Sequence, residues 1–397
     1  MPALSQRMSS LQPSITLAIT AKANQMKAQG IDVIGFGAGE PDFATPQNIR
    51  TAAIAAIDSG FTRYTPSAGI PELREAICRK LKRDQGLDYS PSQVVVATGA
   101  KHALYDIFQA ILDQGDEVII PAPYWVSYPE QVKLAGGVPV FVQTQATNGF
   151  VLQADELKKH ITPKTKAIII NSPNNPTGAV YDEASLRAIA DVLADHDIFI
   201  ISDEIYENLI YGGVKHVSIA SLSDAIMKKT IIVNGVSKTY SMTGWRIGFS
   251  ACFDAKLAKV LTDLQSQSTS NADSIAQKAS VEAYNGAQDT VEMMRREFEK
   301  RRDYIVNRLN AIDGIECSVP KGAFYVFPSI QGLIGRKIGE AVITDSLVCA
   351  DVLLDQAKIA VVPGSGFGAE GFIRMSYAIS MEAIQEGLDR LEKALNG

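Results

Sequence analysis

Four stretches of this 397-residue chain carry side chains able to do chemistry, and each begins where an apolar run stops. The run TIIVNG (230–235) is followed by VSKTYSMTGWRIG, which places Lys238 directly after Ser237 and eight residues before Arg246. A lysine held against apolar strand ends beside another cation loses solvation for its charged form, and its amine becomes a usable nucleophile. IFIISDE (198–204) brings Asp203 to a depth where a carboxylate is costly unless it is paired. KAIIINSP (166–173) runs into NNPTG, a loop stiff enough to aim Asn175 in one direction. VVVATGAKHAL sets Gly99, Ala100 and Lys101 at a strand-to-helix turn, where free backbone N–H groups make a cup for phosphate. Taken singly, each has an ordinary alternative: a solvated lysine, a helix-capping aspartate, a turn, a close-packed glycine.

Together they ask for one ligand. Pyridoxal 5′-phosphate needs a lysine for its aldehyde, an acid for its ring nitrogen, a helix start with hydroxyl and arginine for its phosphate, and a donor for its phenolic oxygen. A dinucleotide fits less well. GFGAGEP (35–41) has Glu40 where the third glycine should stand, and GSGFGA (364–369) leads at once toward FIRMSYA with no room for the required helix. His102, His160, His196 and His216 show no metal-ligand spacing, and the acids at 182–183 and 203–204 read as helix caps, so no metal is expected.

The elements that position these residues follow from periodicity. The four runs above, with EVIIPAP (117–123) and PVFVQT (139–144), are continuously apolar, as strands covered on both faces must be. Between them, KHALYDIFQAILDQG and DEASLRAIADVLADHD carry apolar residues at helical spacing. The fold expected is α/β: a large domain built on a mostly parallel, doubly wound sheet, plus a smaller α+β domain. The small domain starts near 290 with a charged helix and continues through GAFYVFPSI, IAVVPGSGFG and GFIRMSYAIS as short strands. The expected division is 1–45 as N-terminal arm and part of the small domain, 46–288 as the large domain, and 289–397 as the rest of the small one.

Composition removes other classes. Hydrophobic residues are 46% and charged residues 21%, a globular mixture, and the net charge of −6 with no basic cluster disfavours nucleic acid. The four cysteines form no C-x-x-C pair and read as reduced and half-buried. The start is polar, is broken by Pro13 and lacks a signal-peptide pattern, and no apolar run approaches the ~20 residues that span a bilayer. A cytoplasmic protein without membrane contact is expected.

Ordered motifs then run almost end to end: AGEPDF (38–43), RYTPSAGIPELREAI (63–77), PAPYWVSYPE (121–130), NSPNNPTGAVY (171–181), SDEIYE (202–207), NGVSKTYSMTGWRIG (234–248), GAFYVF (322–327) and IRMSYA (373–378). In these the chain resembles the class I aminotransferases of the aspartate aminotransferase superfamily, fold-type I pyridoxal-phosphate enzymes. The resemblance implies Lys238 as Schiff-base lysine, Asp203 as partner of the ring nitrogen, and Asn175 with Tyr206 as donors to the phenolic oxygen. It implies that Ser237, Arg246 and the amides of Gly99, Ala100 and Lys101 hold the phosphate and that Trp125 stacks on the ring. Arg374 would take the substrate α-carboxylate with help from Asn175 and the Gly39 backbone. Tyr64 would reach the phosphate of a neighbouring subunit, which implies a homodimer with shared sites.

Within the family, Lys101 in its GxKxAL context together with Ser14 and Thr16 resembles the aspartate and prephenate aminotransferase subgroup. A cation with hydroxyls suits the second carboxylate of aspartate, glutamate or prephenate. The activity implied is ping-pong transamination between such an amino acid and a 2-oxo acid such as oxaloacetate or 2-oxoglutarate. A β-lyase or an aromatic- or alanine-type aminotransferase on the same scaffold is the alternative. A non-enzymatic regulator would need a DNA-binding domain for which the residues before AGEPDF leave no room.

Overall fold

A computed structural model describes residues 5–9, 11–13 and 15–396. Seven strands form its central sheet: β1 (Val94–Ala97), β2 (Glu117–Ala122), β3 (Val138–Gln143), β4 (Thr165–Asn171), β5 (Phe199–Asp203), β6 (Thr230–Gly235) and β7 (Gly248–Cys252), in the order β1-β7-β6-β5-β4-β2-β3. Five neighbours, β3, β2, β4, β5 and β6, run parallel. Strand β7, which is not among the six runs read from sequence, pairs antiparallel with both β1 and β6.

Strand β4 shows why such runs are unbroken. Successive side chains of a strand point to opposite faces, so Ala167 and Ile169 pack in one core with Leu104, Ile107 and Phe108, while Ile168 and Ile170 pack in another with Leu186, Ile189 and Leu193. Each buried isoleucine contributes about 1.5–3 kcal/mol, and a polar residue anywhere from Ala167 to Ile170 would face one core or the other. The helices that matter for the site are α1 (Ile15–Ala28), α2 (Ala100–Ile111), α3 (Asp289–Asn310) and α4 (Met381–Asn396). Helix α2 starts hard against the sheet: a Cβ at Gly248 would lie 2.2 Å from the Ala100 nitrogen, so the close approach depends on that glycine.

Beyond α3 the chain forms a second sheet from β8 (Tyr325–Val326), β9 (Val362–Pro363) and β10 (Ile373–Ser376), antiparallel in the order β9-β10-β8. Near the start, Ile34–Gly35 pairs in parallel with Ile359–Ala360, which ties the first residues to the last part of the chain. The core of this region joins Phe36, Phe298, Phe324 and Leu388 and continues into Ile205, Tyr206 and Leu209, just past β5.

Two readings need correction. The acids at 203–204 are not helix caps: Asp203 is the last residue of β5 and Glu204 is a buried ion partner, whereas Asp182 does cap a helix, accepting a hydrogen bond from the Ser185 N–H at 2.8 Å. Only Cys78 is half-buried; Cys252, Cys317 and Cys349 are fully buried, and all four are free thiols. Among the described residues, no helix is long and apolar enough to cross a membrane.

Candidate active site

Ligands of open parallel sheets gather outside the carboxyl ends of the strands, and here β4, β5 and β6 end side by side at Asn171, Asp203 and Gly235. The loops that follow deliver Asn175, Tyr206, Ser237 and Lys238 to one cavity of about 320 Å³. Gly39, Ala100, Lys101, Trp125, Arg246 and Arg374 line the same cavity, with Thr16 from α1. Gly99 stands just behind Ala100 as the N-cap of α2, with φ 86°; a Cβ there would meet the Arg246 guanidinium at 2.4 Å. Two expected residues are not in this group. Tyr64 is 90% exposed and does not line the cavity of its own chain, and Ser14 lies outside the described residues.

Burial sets the charge states. It pulls the Lys238 amine down to about 8, and the charges of Arg246, Arg374 and Lys101 push the same way against the opposing pull of Glu40. The Lys238 Nζ donates to the Gly39 carbonyl at 2.6 Å. Asp203 moves in the other direction: burial raises its carboxyl to about 6, although Tyr128 donates to Oδ2 at 2.6 Å and the Ile205 N–H to Oδ1 at 3.3 Å. An amine poised to lose its proton thus shares a cavity with a carboxylate that lacks a strong cationic partner.

Arg374 is completely enclosed. Its Nη1 donates to Asn175 Oδ1 at 2.9 Å and its Nη2 to the Gly37 carbonyl at 2.7 Å, while its Nε is buried without a partner. Tyr325 and Phe367 flank the guanidinium at 4.5 and 5.1 Å from their ring centroids. The loop that carries Asn175 is fixed in turn by its N–H bond to Asn171 Oδ1, 2.9 Å. Lys101 reaches over the Trp125 ring at 4.8 Å, and Trp125 meets Tyr128 edge-on at 5.3 Å.

An amine, an acid, hydroxyl donors, and a helix start backed by an arginine therefore surround one space, as pyridoxal phosphate requires. The orphaned Arg374 Nε and the underpartnered Asp203 are groups that an anion and a cationic ring would satisfy.

Tyr128 and Tyr325 are cavity residues to which the sequence reading gave no role. Both stand in motifs already quoted, PYWVSY and GAFYVF, but their contacts lie 75 and 119 positions away along the chain. On the other face of β5, Glu204, Glu207 and His216 bring ligand atoms within 4.8 Å of one another. The spacing of histidines alone could not show this group. Its carboxylates are engaged by Gln85, Ser202, Ser218 and Asn234, and Glu207 also pairs with Lys80.

Comparison with known proteins agrees with this geometry. The model of the family described as aminotransferase class I and II matches residues 31–391. The aspartate aminotransferase of Geobacillus stearothermophilus is 55% identical over 390 residues, 98% of each chain. A probable aspartate/prephenate aminotransferase of Aquifex aeolicus is 52% identical over 99% of this chain and 98% of its own. The crystal structure of the aspartate aminotransferase from Rhizobium meliloti superposes with a TM-score of 0.97 at 44% identity, covering 100% of this chain and 99% of that one.

Proposed function

The chain belongs to the class I and II aminotransferase family, and from that premise we propose that it moves an amino group between a dicarboxylic amino acid, aspartate or glutamate, and a 2-oxo acid, with prephenate as a further acceptor. The observation that carries this reading is the meeting of Lys238, Asp203 and Arg374 in one cavity with Lys101 at its edge. Names of the relatives at 52–55% identity support the substrate class.

Pyridoxal 5′-phosphate, when bound, supplies an electrophilic carbon and a ring that accepts electrons. Asp203 would hold the ring nitrogen protonated, and Tyr206 and Asn175 would donate to the phenolic oxygen. Ser237, Arg246 and the N–H groups from Gly99 to Lys101 would hold the phosphate, and Trp125 would cover the ring. Arg374 takes the α-carboxylate of the substrate through its fork, assisted by Asn175 and the Gly39 backbone. Lys101 and Thr16, which line the cavity, would meet the second carboxylate, a role the resemblance also gives to Ser14. With both ends of the substrate fixed, the Lys238 amine would take the proton from substrate Cα as general base and deliver it as general acid to the cofactor carbon that bore the aldehyde, a role its pKa of about 8 suits.

The reading extends to a cytoplasmic homodimer in which the exposed Tyr64 reaches its partner's phosphate, and to a division of the chain at 1–45, 46–288 and 289–397. A large aromatic side chain left 90% exposed supports the first of these.

A steady-state panel of aspartate, glutamate, alanine and phenylalanine against oxaloacetate, 2-oxoglutarate, prephenate and phenylpyruvate tests the proposal. Lys238→Ala should abolish turnover. Lys101→Ala should lower kcat/KM for aspartate about 10- to 100-fold, the worth of one charged hydrogen bond, and leave phenylalanine within twofold. Equal losses for both amino acids would remove Lys101 from substrate recognition. Pyruvate and ammonia formed from an added amino acid with a leaving group on Cβ, such as serine or cysteine, without an oxo-acid acceptor would mean elimination instead of transfer.

A further inference from the structure

Tyr325 is buried in the cavity wall and touches three of its working residues. Its position follows from sheet register. In β8 it stands opposite Ser376 of β10, and Arg374, two residues from Ser376, is its diagonal neighbour on the same face. That places the guanidinium 4.5 Å from the Tyr325 ring centroid. The hydroxyl at the other end of the ring lies 2.8 Å from the Tyr206 hydroxyl. It also fills the space beside Gly39, where a Cβ would approach it to 2.7 Å; the Gly39 carbonyl is the acceptor for Lys238.

Building on the cofactor reading above, we propose that Tyr325 is a positioning residue: its hydroxyl orients the Tyr206 hydroxyl toward the cofactor's phenolic oxygen, and its ring supports Arg374 for the substrate carboxylate. Two hydroxyls 2.8 Å apart share one proton between them, and either can be the donor. If Tyr206 gives its proton to an anionic oxygen, its own oxygen is left to accept, and Tyr325 must donate. The cation on the face of the Tyr325 ring strengthens that donation. Hydrogen bonds arranged head to tail polarise one another, so the bond from Tyr206 onward is stronger for having Tyr325 behind it. Phenylalanine would keep the ring under Arg374 and lose the donor; leucine would lose both. The charged and titratable groups around the pair are Asp203, Lys238 and Arg374.

The test uses the pyridoxal-phosphate-loaded protein and titrates its visible absorbance between pH 5 and 10 in wild type, Tyr325→Phe, Tyr206→Phe and the double variant. A hydrogen bond donated to the phenolic oxygen favours the deprotonated chromophore, so weakening it raises the midpoint. Tyr325→Phe should raise it by roughly half a pH unit, about threefold in proton affinity, and by less than Tyr206→Phe. In the Tyr206→Phe background the second substitution should add nothing, because the chain is already cut. A shift of equal size in both backgrounds, or none in either, overturns the role of the hydroxyl while leaving the cofactor assignment intact. Absence of any visible chromophore in wild type overturns the cofactor assignment and this proposal with it. Tyr325→Leu should also raise the KM for aspartate about tenfold where Tyr325→Phe leaves it within twofold; the same KM in both removes the ring's part.

Discussion

Asp203 and Glu204 are neighbours in sequence, both carboxylates and both buried, yet they face opposite sides of the same strand end and their acidities are shifted in opposite directions. On the cavity side, burial outweighs the Tyr128 and Ile205 hydrogen bonds and holds Asp203 up at about 6. On the reverse side, burial works against Glu204 too, but His216 at 3.1 Å, Ser218 at 2.6 Å and Ser202 at 2.8 Å outweigh it and bring the carboxyl down to about 2. A strand places successive residues in different surroundings at no cost in length. In one surrounding the carboxylate finds all its partners within the chain and helps to hold the fold together. The other is incomplete, and a site is the place where the protein leaves an interaction for a ligand to finish.

Exchanging the two acids for their amides should separate these roles most widely. Asp203→Asn should lower kcat/KM by about 10²–10³-fold, as expected when a fixed charge opposite developing charge is removed. Its cofactor-free form should be as stable as wild type or more so above pH 6. The sign follows from the raised carboxyl: ionisation disfavours the fold once the pH passes the ordinary aspartate range, and the penalty is fully present above about 6. Glu204→Gln should do the reverse, costing about 3 kcal/mol in a urea titration because it breaks a buried pair, while kcat stays within a few-fold. Equal loss of activity in both would mean that the two faces of β5 act as one unit.

A smaller effect concerns the amine. Capture of pyridoxal phosphate by the cofactor-free protein, followed by stopped-flow absorbance, should rise about tenfold per pH unit below 8 and level off above it, since the free amine reacts and Lys238 titrates at about 8. A rate still climbing at pH 10 would mark an ordinary solvated lysine. The smallest effect belongs to the reverse face. Burial works against the charged form of His216, but Glu204 raises its pKa overall, so its contribution is complete below about pH 6.5 and fades as pH rises through the folded value. Glu204, held low, contributes fully above about pH 4.3 and loses its share as the pH falls toward 2. Urea titrations should therefore show a loss of stability in wild type as the pH rises above about 6.5, absent in His216→Gln.

The same contrast decides what sequence can show. Asp203 and Lys238 are legible because a charged residue closing an apolar run is conspicuous in one dimension, and six of the seven strands are legible for the same reason. Glu204 is equally conspicuous, but its partners His216, Ser218 and Gln85 come from a loop and a distant helix, so nothing local distinguishes it from a helix cap. Tyr128 and Tyr325 are ordinary aromatics until the fold brings Asp203 and Tyr206 to their hydroxyls. Strand β7 escapes because Phe249 is the one large apolar side chain in GFSAC; Gly248, Ser250, Ala251 and Cys252 are small and are buried by their neighbours' bulk more than their own.

The pairing of Ile34–Gly35 with Ile359–Ala360 has a consequence for how the protein is made. At ~5–20 residues per second of synthesis, Ile34 leaves the ribosome roughly 15–65 s before its partner strand exists. Gly37, whose carbonyl receives Arg374, waits as long. The sheet from Val94 to Cys252 can collapse during that interval, but the cavity cannot close until nearly the last residues are translated. A chain stopped short by premature termination would then hold the lysine and the acid without the arginine, a nascent product that could take up cofactor and fail to grip substrate.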